Sequence, residues 1–329
     1  MHADDRGVEL PLRFGDPRRE YAALTGAAAV LDLGFRTLVR ATGPDRTTFL
    51  QGMLTCDVAK LRPGQAAHGL LLTIQGRVTA DVRVLATDDA LLLDVDVRVR
   101  AAMLEALEKL LVADDVEFAD AGPIARIGVE GPGAAALLAA GGIAAPADGH
   151  AEARVGGVVV RALRASEVCG PGVVLFAPAN GAAAVWDALG ADDAVPCGMQ
   201  ALEARRIEVG VPRVGVDMDG STLALELPVE DLISTTKGCY LGQEVVARGT
   251  ARGQVQRRLV GVRFEGVEPA AGAALRHAGR DVGRVTSVAR AHAADEPIGL
   301  AFVRREHWAP GSELDADGGR ARVAELPLA

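Results

Sequence analysis

The sequence predicts an α+β fold, with a larger region of mixed strands and helices over residues 1–249 and a small β-barrel over residues 250–329. Three observations carry this reading. At 329 residues the chain exceeds what one ordinary core accommodates, so two or three domains are expected. Strand and helix patterns alternate through the first 245 residues. After residue 250 the texture changes to short alternating runs separated by Gly-rich turns, with no helical period.

The elements follow in order. Residues 43–54, GPDRTTFLQGML, read as a short helix, with Pro44 in its first turn and Phe49, Leu50, Met53 and Leu54 on one face. IQGRVTADVRV and DALLLDVDV read as strands, with Asp88-Asp89 marking a turn. From Val99 to Leu111 the spacing becomes helical, with Val99, Met103, Leu107, Leu110 and Leu111 in one stripe, and the strand VEFAD follows. IARIGVE, residues 124–130, reads as a strand that ends at GPG before an Ala-rich helix. VGGVVVRALRA and GPGVVLFAP are two further strands, and Asn180 is placed to cap the helix GAAAVWDAL. A helix from Gly198 to Val209 carries Met199, Leu202, Arg206 and Ile207 and is stopped by Gly210-Val211-Pro212. RRLVGVRFEG, GAALRHAGRDVGRVTSVAR, PIGLAFVRR, SELDADGG and RARVAELPL supply the barrel.

Composition narrows the function. Apolar residues make up 49% of the chain and aromatics only 3%, so the core must be built from Val, Leu and Ala. The net charge of −9 argues against a general nucleic-acid binder. Residues 246–290 run against this balance, with nine Arg opposed only by Glu265, Glu268 and Asp281. Two readings stay open for that stretch: solvated strand faces, or a site for a polyanion such as the glutamate tail of a cofactor or an RNA. The start, MHADDRGVELPLRFGDP, has neither signal-peptide nor transit-peptide character. No apolar run reaches the roughly 18 residues of a membrane span, so a cytoplasmic protein is expected.

The four cysteines form no C-x-x-C pair and no disulfide framework. Cys56 and Cys169 lie among apolar residues and are expected to be small buried hydrophobes, and Cys197 is expected to be structural. Cys239 differs. It lies in TTKGCYLGQEVVAR, residues 235–248, which gathers Cys239, one of three Lys (Lys237) and one of two Tyr (Tyr240). Only about 3% of a free thiol is ionised at pH 7, and a neighbouring ammonium favours the thiolate. Lys237 is therefore expected to tune a reactive Cys239, with Tyr240 adding a ring and a hydroxyl. Elsewhere, Asp81 in QGRVTAD and Glu208 in RIEVG are carboxylates able to accept paired N–H bonds from a pterin or purine. The six His have no metal-ligand spacing, and neither common glycine-rich phosphate loop is present.

KGCYLGQE followed by VAR resembles the signature of the YgfZ-type tetrahydrofolate-binding proteins. These belong to the GcvT superfamily with the glycine cleavage T-protein (aminomethyltransferase) and the mitochondrial iron–sulfur assembly factor of the same family. FLQGMLTCDV, GRVTAD, RIEVGVPRVGVD, LPVE, GRDVGRVTS and IGLAFVRR extend the resemblance over residues 27–328. It implies a GcvT-like ring of three domains with tetrahydrofolate in the central hole. Subdomain A would take residues 1–45 and 125–249, subdomain B residues 46–124, and the barrel residues 250–329.

The resemblance also implies a role in maintaining or repairing iron–sulfur enzymes, including radical enzymes that modify tRNA. Their assembly proteins or clients would be the partners. Cys239 would be the redox-active thiol, tuned by Lys237, with Tyr240 nearby. No stable metal site, membrane contact or direct nucleic-acid contact is implied. Glu208 matches the pterin-binding glutamate of the T-protein. Asp81 matches the second of two adjacent aspartates near its reaction centre, where the first is Ala80 here. Arg248 or Lys237 would replace the T-protein's folate-contacting arginine, and Cys56 stands where the family usually has Asn. The alternatives are a folate-dependent aminomethyltransferase or demethylase, and a protein that senses or buffers folate.

Overall fold

The computed structural model describes residues 2–4, 8–191, 194–252, 255–292 and 295–328. A hairpin (β1, His2–Asp4; β2, Glu9–Pro11) precedes α1 (Pro17–Gly26). There follow β3 (Ala29–Asp32), β4 (Arg36–Thr42), α2 (Arg46–Met53), β5 (Ala66–Leu72), β6 (Val78–Ala86), β7 (Leu91–Asp96), α3 (Val97–Glu108) and β8 (Glu117–Asp120). Next come β9 (Ile124–Glu130), α4 (Ala134–Ala140), β10 (His150–Val155), β11 (Val158–Arg164), β12 (Gly172–Pro178), α5 (Ala182–Ala191), β13 (Val195–Cys197), α6 (Met199–Val209) and α7 (Gln243–Arg252). The chain ends in β14 (Arg257–Glu265), β15 (Ala274–His277), β16 (Arg280–Ala291), β17 (Glu296–Arg304), β18 (Glu313–Ala316) and β19 (Gly319–Ala324).

These strands form three main units. A six-stranded sheet has the order β10-β11-β12-β9-β3-β13, a five-stranded sheet the order β5-β6-β7-β4-β8, and β14-β17-β16-β15-β18-β19 close into a barrel. The fold is therefore α+β with a C-terminal barrel, as the texture of the sequence predicts. Local chemistry accounts for the helix ends. Asp16 and Asp96 cap α1 and α3 by accepting the N–H groups of Arg18 and Arg98. Gly210 ends α6 in the left-handed region at φ +84°, where a side chain would also strike Leu326.

Several local expectations change. The five-stranded sheet begins at Arg36, because β4, which the local pattern did not announce, pairs with β7 and β8. Asn180 does not cap α5. It sits inside a 3-10 turn, Ala179–Gly181, that leads into the helix. Leu110 lies beyond the end of α3 and is exposed, whereas Met103 and Leu107 are fully buried against the five-stranded sheet.

Between the two sheets lies a buried cluster of charge. Asp94 of β7 is fully buried, and its Oδ2 accepts from Arg36 Nε at 3.2 Å and Arg126 Nη2 at 2.7 Å. Arg83 Nη1 stands 3.7 Å from the same oxygen and 2.6 Å from Glu167. Asp81 takes Arg36 Nη1 at 3.0 Å. Three guanidiniums thus face three carboxylates, and Coulomb attraction at low dielectric offsets the desolvation of all six.

Glu130 is a fourth carboxyl beside this balanced set. Its oxygens accept from the Ser166 hydroxyl at 2.7 Å and the Glu167 N–H at 2.8 Å. Burial nevertheless pushes it up to about 8 from an ordinary 4.5. A raised folded-state value favours the protonated form. The stability it contributes is complete below about pH 4.5 and is lost as pH rises through about 8. Unfolding free energies from urea titrations are expected to fall over that window, at up to about 1.4 kcal/mol per pH unit. In Glu130→Gln this component should vanish. Identical pH profiles for the two proteins would refute the assignment.

Candidate functional site

A cavity of about 290 Å³ lies where the three units meet. The five-stranded sheet contributes Arg36, His68, Asp81, Arg83 and Asp96, and the β11–β12 connection contributes Ser166, Glu167 and Cys169. Phe35, then Leu202, Arg206 and Val209 of α6, residues 210–214, Met218, Pro228, Val229, Asp231, Leu232 and Leu326 complete the wall.

Strand alternation sets the polar face. β5 and β6 pair so that Leu70 lies opposite Asp81 and His68 opposite Arg83. Ala80, Val82 and Val84 point into the apolar core between the sheet and its helices. Asp81 and Arg83 point the other way, into the cavity. Asp81 Oδ1 accepts from Arg36, and Oδ2 lies 2.8 Å from His68 Nε2. Burial opposes ionisation of Asp81, but the charges of His68 and Arg36 outweigh it and hold the carboxyl well below the usual range.

The connection carrying Cys169 is fixed by Glu130 and by Arg83, whose Nη2 donates to the Ser166 carbonyl at 3.2 Å. Cys169 has φ +52°, and its side chain is exposed to the cavity instead of buried as expected. Its neighbour Val168 takes the core position, and the left-handed turn at Cys169 sends the thiol outward. Cys56 and Cys197 are buried, and desolvation pushes their thiols up to about 11 and about 12.

The KGCY segment divides by direction. Lys237 Nζ donates to the carbonyls of Gln51, Leu54 and Cys56, at 2.5, 2.5 and 2.8 Å. It thus closes the C-terminal end of α2, where unpaired carbonyls and the helix dipole favour a cation. Its ammonium lies 5.3 Å from the Tyr240 ring, and burial pushes it down. Tyr240 packs in the core between the five-stranded sheet and the barrel. Cys239, between them, is exposed. The ammonium's three donors are engaged with helix carbonyls, and Cys56 and Asp57 are the ionisable groups that act on it. The expectation that Lys237 serves the Cys239 thiol gives way to a structural role. Lys237→Met should destabilise the protein by about 2–3 kcal/mol. Urea unfolding checks this, and a change below about 0.5 kcal/mol would remove Lys237 from the framework.

The other sequence-selected residues are dispersed. Glu208, on α6, is buried away from the cavity wall. It accepts from the Tyr21 hydroxyl and from Arg205 Nη1 at 2.6 Å. Burial and the Glu208 carboxylate push the Tyr21 phenol up to about 12. The structure does not bring Glu208 together with Asp81 in the cavity. Arg248 is exposed on α7 and pairs with Glu244 one turn earlier, so it does not reach the cavity either.

The Arg-rich stretch is largely neutralised in place. Arg257 binds Glu226 with two bonds of 3.0 Å, Arg276 pairs with Asp281 and Asp317, and Arg290 pairs with Glu268 and Asp295. Arg258 lies over the Trp308 ring. The side chain of Arg252 lies outside the described residues.

Sequence reasoning missed Arg36, His68, Arg83, Glu167 and Asp231. The hairpin register could have found His68. Once the turn at Ile74–Gly76 is placed, alternation puts residue 68 on the face of Asp81. Arg36, Asp94 and Arg126 carry no such signal, because they meet only through tertiary structure.

The comparisons with known proteins agree with this architecture. The GCVT N-terminal domain profile matches residues 3–237, and the glycine cleavage T-protein C-terminal barrel domain profile matches residues 257–328. A protein named aminomethyltransferase from Geobacillus kaustophilus is 31% identical, over 98% of this chain and 92% of its own length. A probable aminomethyltransferase from Halobacterium salinarum is 29% identical over 94% and 88%. The crystal structure of glycine cleavage system aminomethyltransferase T from Bartonella henselae superposes with a TM-score of 0.89 at 21% identity, covering 100% of this chain and 94% of that one. The chain belongs to the glycine cleavage T-protein (GcvT) family.

Proposed function

We infer that the central cavity binds tetrahydrofolate and that the protein transfers a one-carbon unit to it from an aminomethyl or N-methyl donor. The observation that carries this reading is the Asp81 carboxylate, kept ionised by Arg36 and His68 on the wall of a cavity with apolar faces. The cavity suits a reduced pterin. Phe35, Leu202, Pro212 and Val229 offer apolar walls, and Asp231 offers a carboxylate for its N–H groups. Bound there, tetrahydrofolate would supply the nitrogen that accepts the one-carbon unit. Ala80 faces the core, so the loss of an aspartate at that position removes no carboxylate from the cavity. Names of relatives matched over nearly their full length, aminomethyltransferase among them, support the same reading.

A second reading, maintenance of iron–sulfur enzymes, is favoured by one observation. Cys239 is exposed on a segment whose neighbours Lys237 and Tyr240 are both anchored inward. A rigidly mounted surface thiol suits exchange with a partner. One cysteine cannot satisfy a cluster that takes four ligands, so any such contact would be shared.

Calorimetric titration with tetrahydrofolate, followed by turnover assays on a panel of aminomethyl and N-methyl donors, separates the two. One-to-one binding with turnover is expected. The absence of binding would refute the cavity reading. Binding without turnover, together with loss of tRNA methylthiolation in cells carrying Cys239→Ala, would replace it with the second.

A further inference from the structure

The cavity contains a proton acceptor that the sequence did not announce. His68 lies on β5 with a third of its side chain exposed, and its Nε2 is 2.8 Å from Asp81 Oδ2. An ionised carboxylate only accepts hydrogen bonds, so Nε2 carries a hydrogen, and whenever the imidazole is neutral Nδ1 is the atom that holds the lone pair. Nδ1 has no hydrogen-bond partner among the described residues, and the ring lines the cavity. Asp81 is itself fixed at its other oxygen by Arg36, which is anchored in turn on Asp94. Both Asp81 oxygens are therefore engaged, and the free basic atom of the pair belongs to the imidazole.

Resting on the one-carbon reading above, we propose that His68, oriented by Asp81, is the general base that takes the proton released when an amine bound in the cavity forms its bond to carbon. The N–C bond forms with the nitrogen lone pair, and the donor's bond to the carbon breaks with its pair leaving on the donor. The N–H bond then breaks with its electrons retained on nitrogen, and the proton passes to His68 Nδ1. The resulting imidazolium stays paired with Asp81. The charged groups sharing the cavity wall are Asp81 and Arg83 of β6, Arg36 of β4, Asp96 at the end of β7, Glu167 beside Cys169, Arg206 of α6, Arg213, and Asp231. Arg83 is matched by Glu167, Arg36 by Asp81 and Asp94, and Arg206 by Glu203 and Asp217, so the dyad does not face an uncompensated cation from any of these three.

The test has three arms. Ring ¹⁵N shifts of His68 in the ligand-free protein should report the Nε2–H neutral tautomer, and an Nδ1–H tautomer would overturn the proposal. His68→Gln should bind tetrahydrofolate with unchanged affinity yet lose about 10²–10⁴-fold in kcat, together with the acid limb of the pH–rate profile. In His68→Ala, added imidazole should restore part of that rate. Wild-type kcat and pH profile in His68→Gln, with binding and turnover intact, would overturn the base assignment alone. Failure of the wild type to bind tetrahydrofolate at all would overturn the one-carbon reading and this role with it.

Discussion

Replacing Asp94 with alanine is expected to destabilise the protein by about 3–5 kcal/mol, the largest single-site effect in this fold. The carboxylate is fully buried and holds Arg36 and Arg126 directly, with Arg83 at 3.7 Å. Without it, three guanidiniums share two carboxylates, Asp81 and Glu167, at low dielectric. Arg126 suffers most, because burial already pushes it down to about 10 and its Nε and Nη1 have no partner. The three arginines belong to β4, β6 and β9, so the loss falls on the joint between the two sheets. Chemical denaturation measures the change. A loss below about 1 kcal/mol would mean that the cluster relaxes or hydrates, and that its charges are not held as a unit.

Asp81→Asn is expected to cost less stability than the loss of Asp94, leaving a folded protein, and to lower one-carbon transfer by about 10²-fold or more. Arg36 keeps its bonds to the Asp94 side chain and carbonyl, at 3.2 and 2.8 Å, so the joint persists. The loss is chemical. An amide no longer balances an imidazolium at His68, and it can donate to Nε2 and so select the wrong tautomer. Because the native carboxyl is held well below the usual range, Asp81 should stay ionised beside His68 throughout the acid limb of the wild-type pH–rate profile. The stability Asp81 contributes is present above its ordinary value near 3.8 and is lost only as pH falls through the lower folded value. Unchanged kcat in Asp81→Asn would remove Asp81 from the chemistry and return it to a structural ion pair.

Much of the architecture was legible from local pattern. Residues 124–130 form β9 as their apolar run predicts, α6 ends at Gly210, and the Gly-punctuated runs after residue 250 close into a barrel. These features depend on neighbours a few positions apart, which a sequence displays directly. β4 and β13 escaped notice because their membership depends on partners far along the chain. The site was less legible. The crowded KGCY segment looked like one reactive unit, yet its lysine ties down a helix end contributed by residues 51–56. Cys169 looked like core, yet one left-handed residue turns it into the cavity.

By itself, then, the sequence determined the α+β class and the terminal barrel. Periodicity and turn chemistry act over a few residues and leave their mark in composition. Only the tertiary structure decided which charges meet. Arg36, Asp94 and Arg126 lie on three strands of two sheets, and the His68–Asp81 pair depends on the register of a hairpin. Electrostatic energy depends on distance and burial, and neither is fixed until the chain has folded.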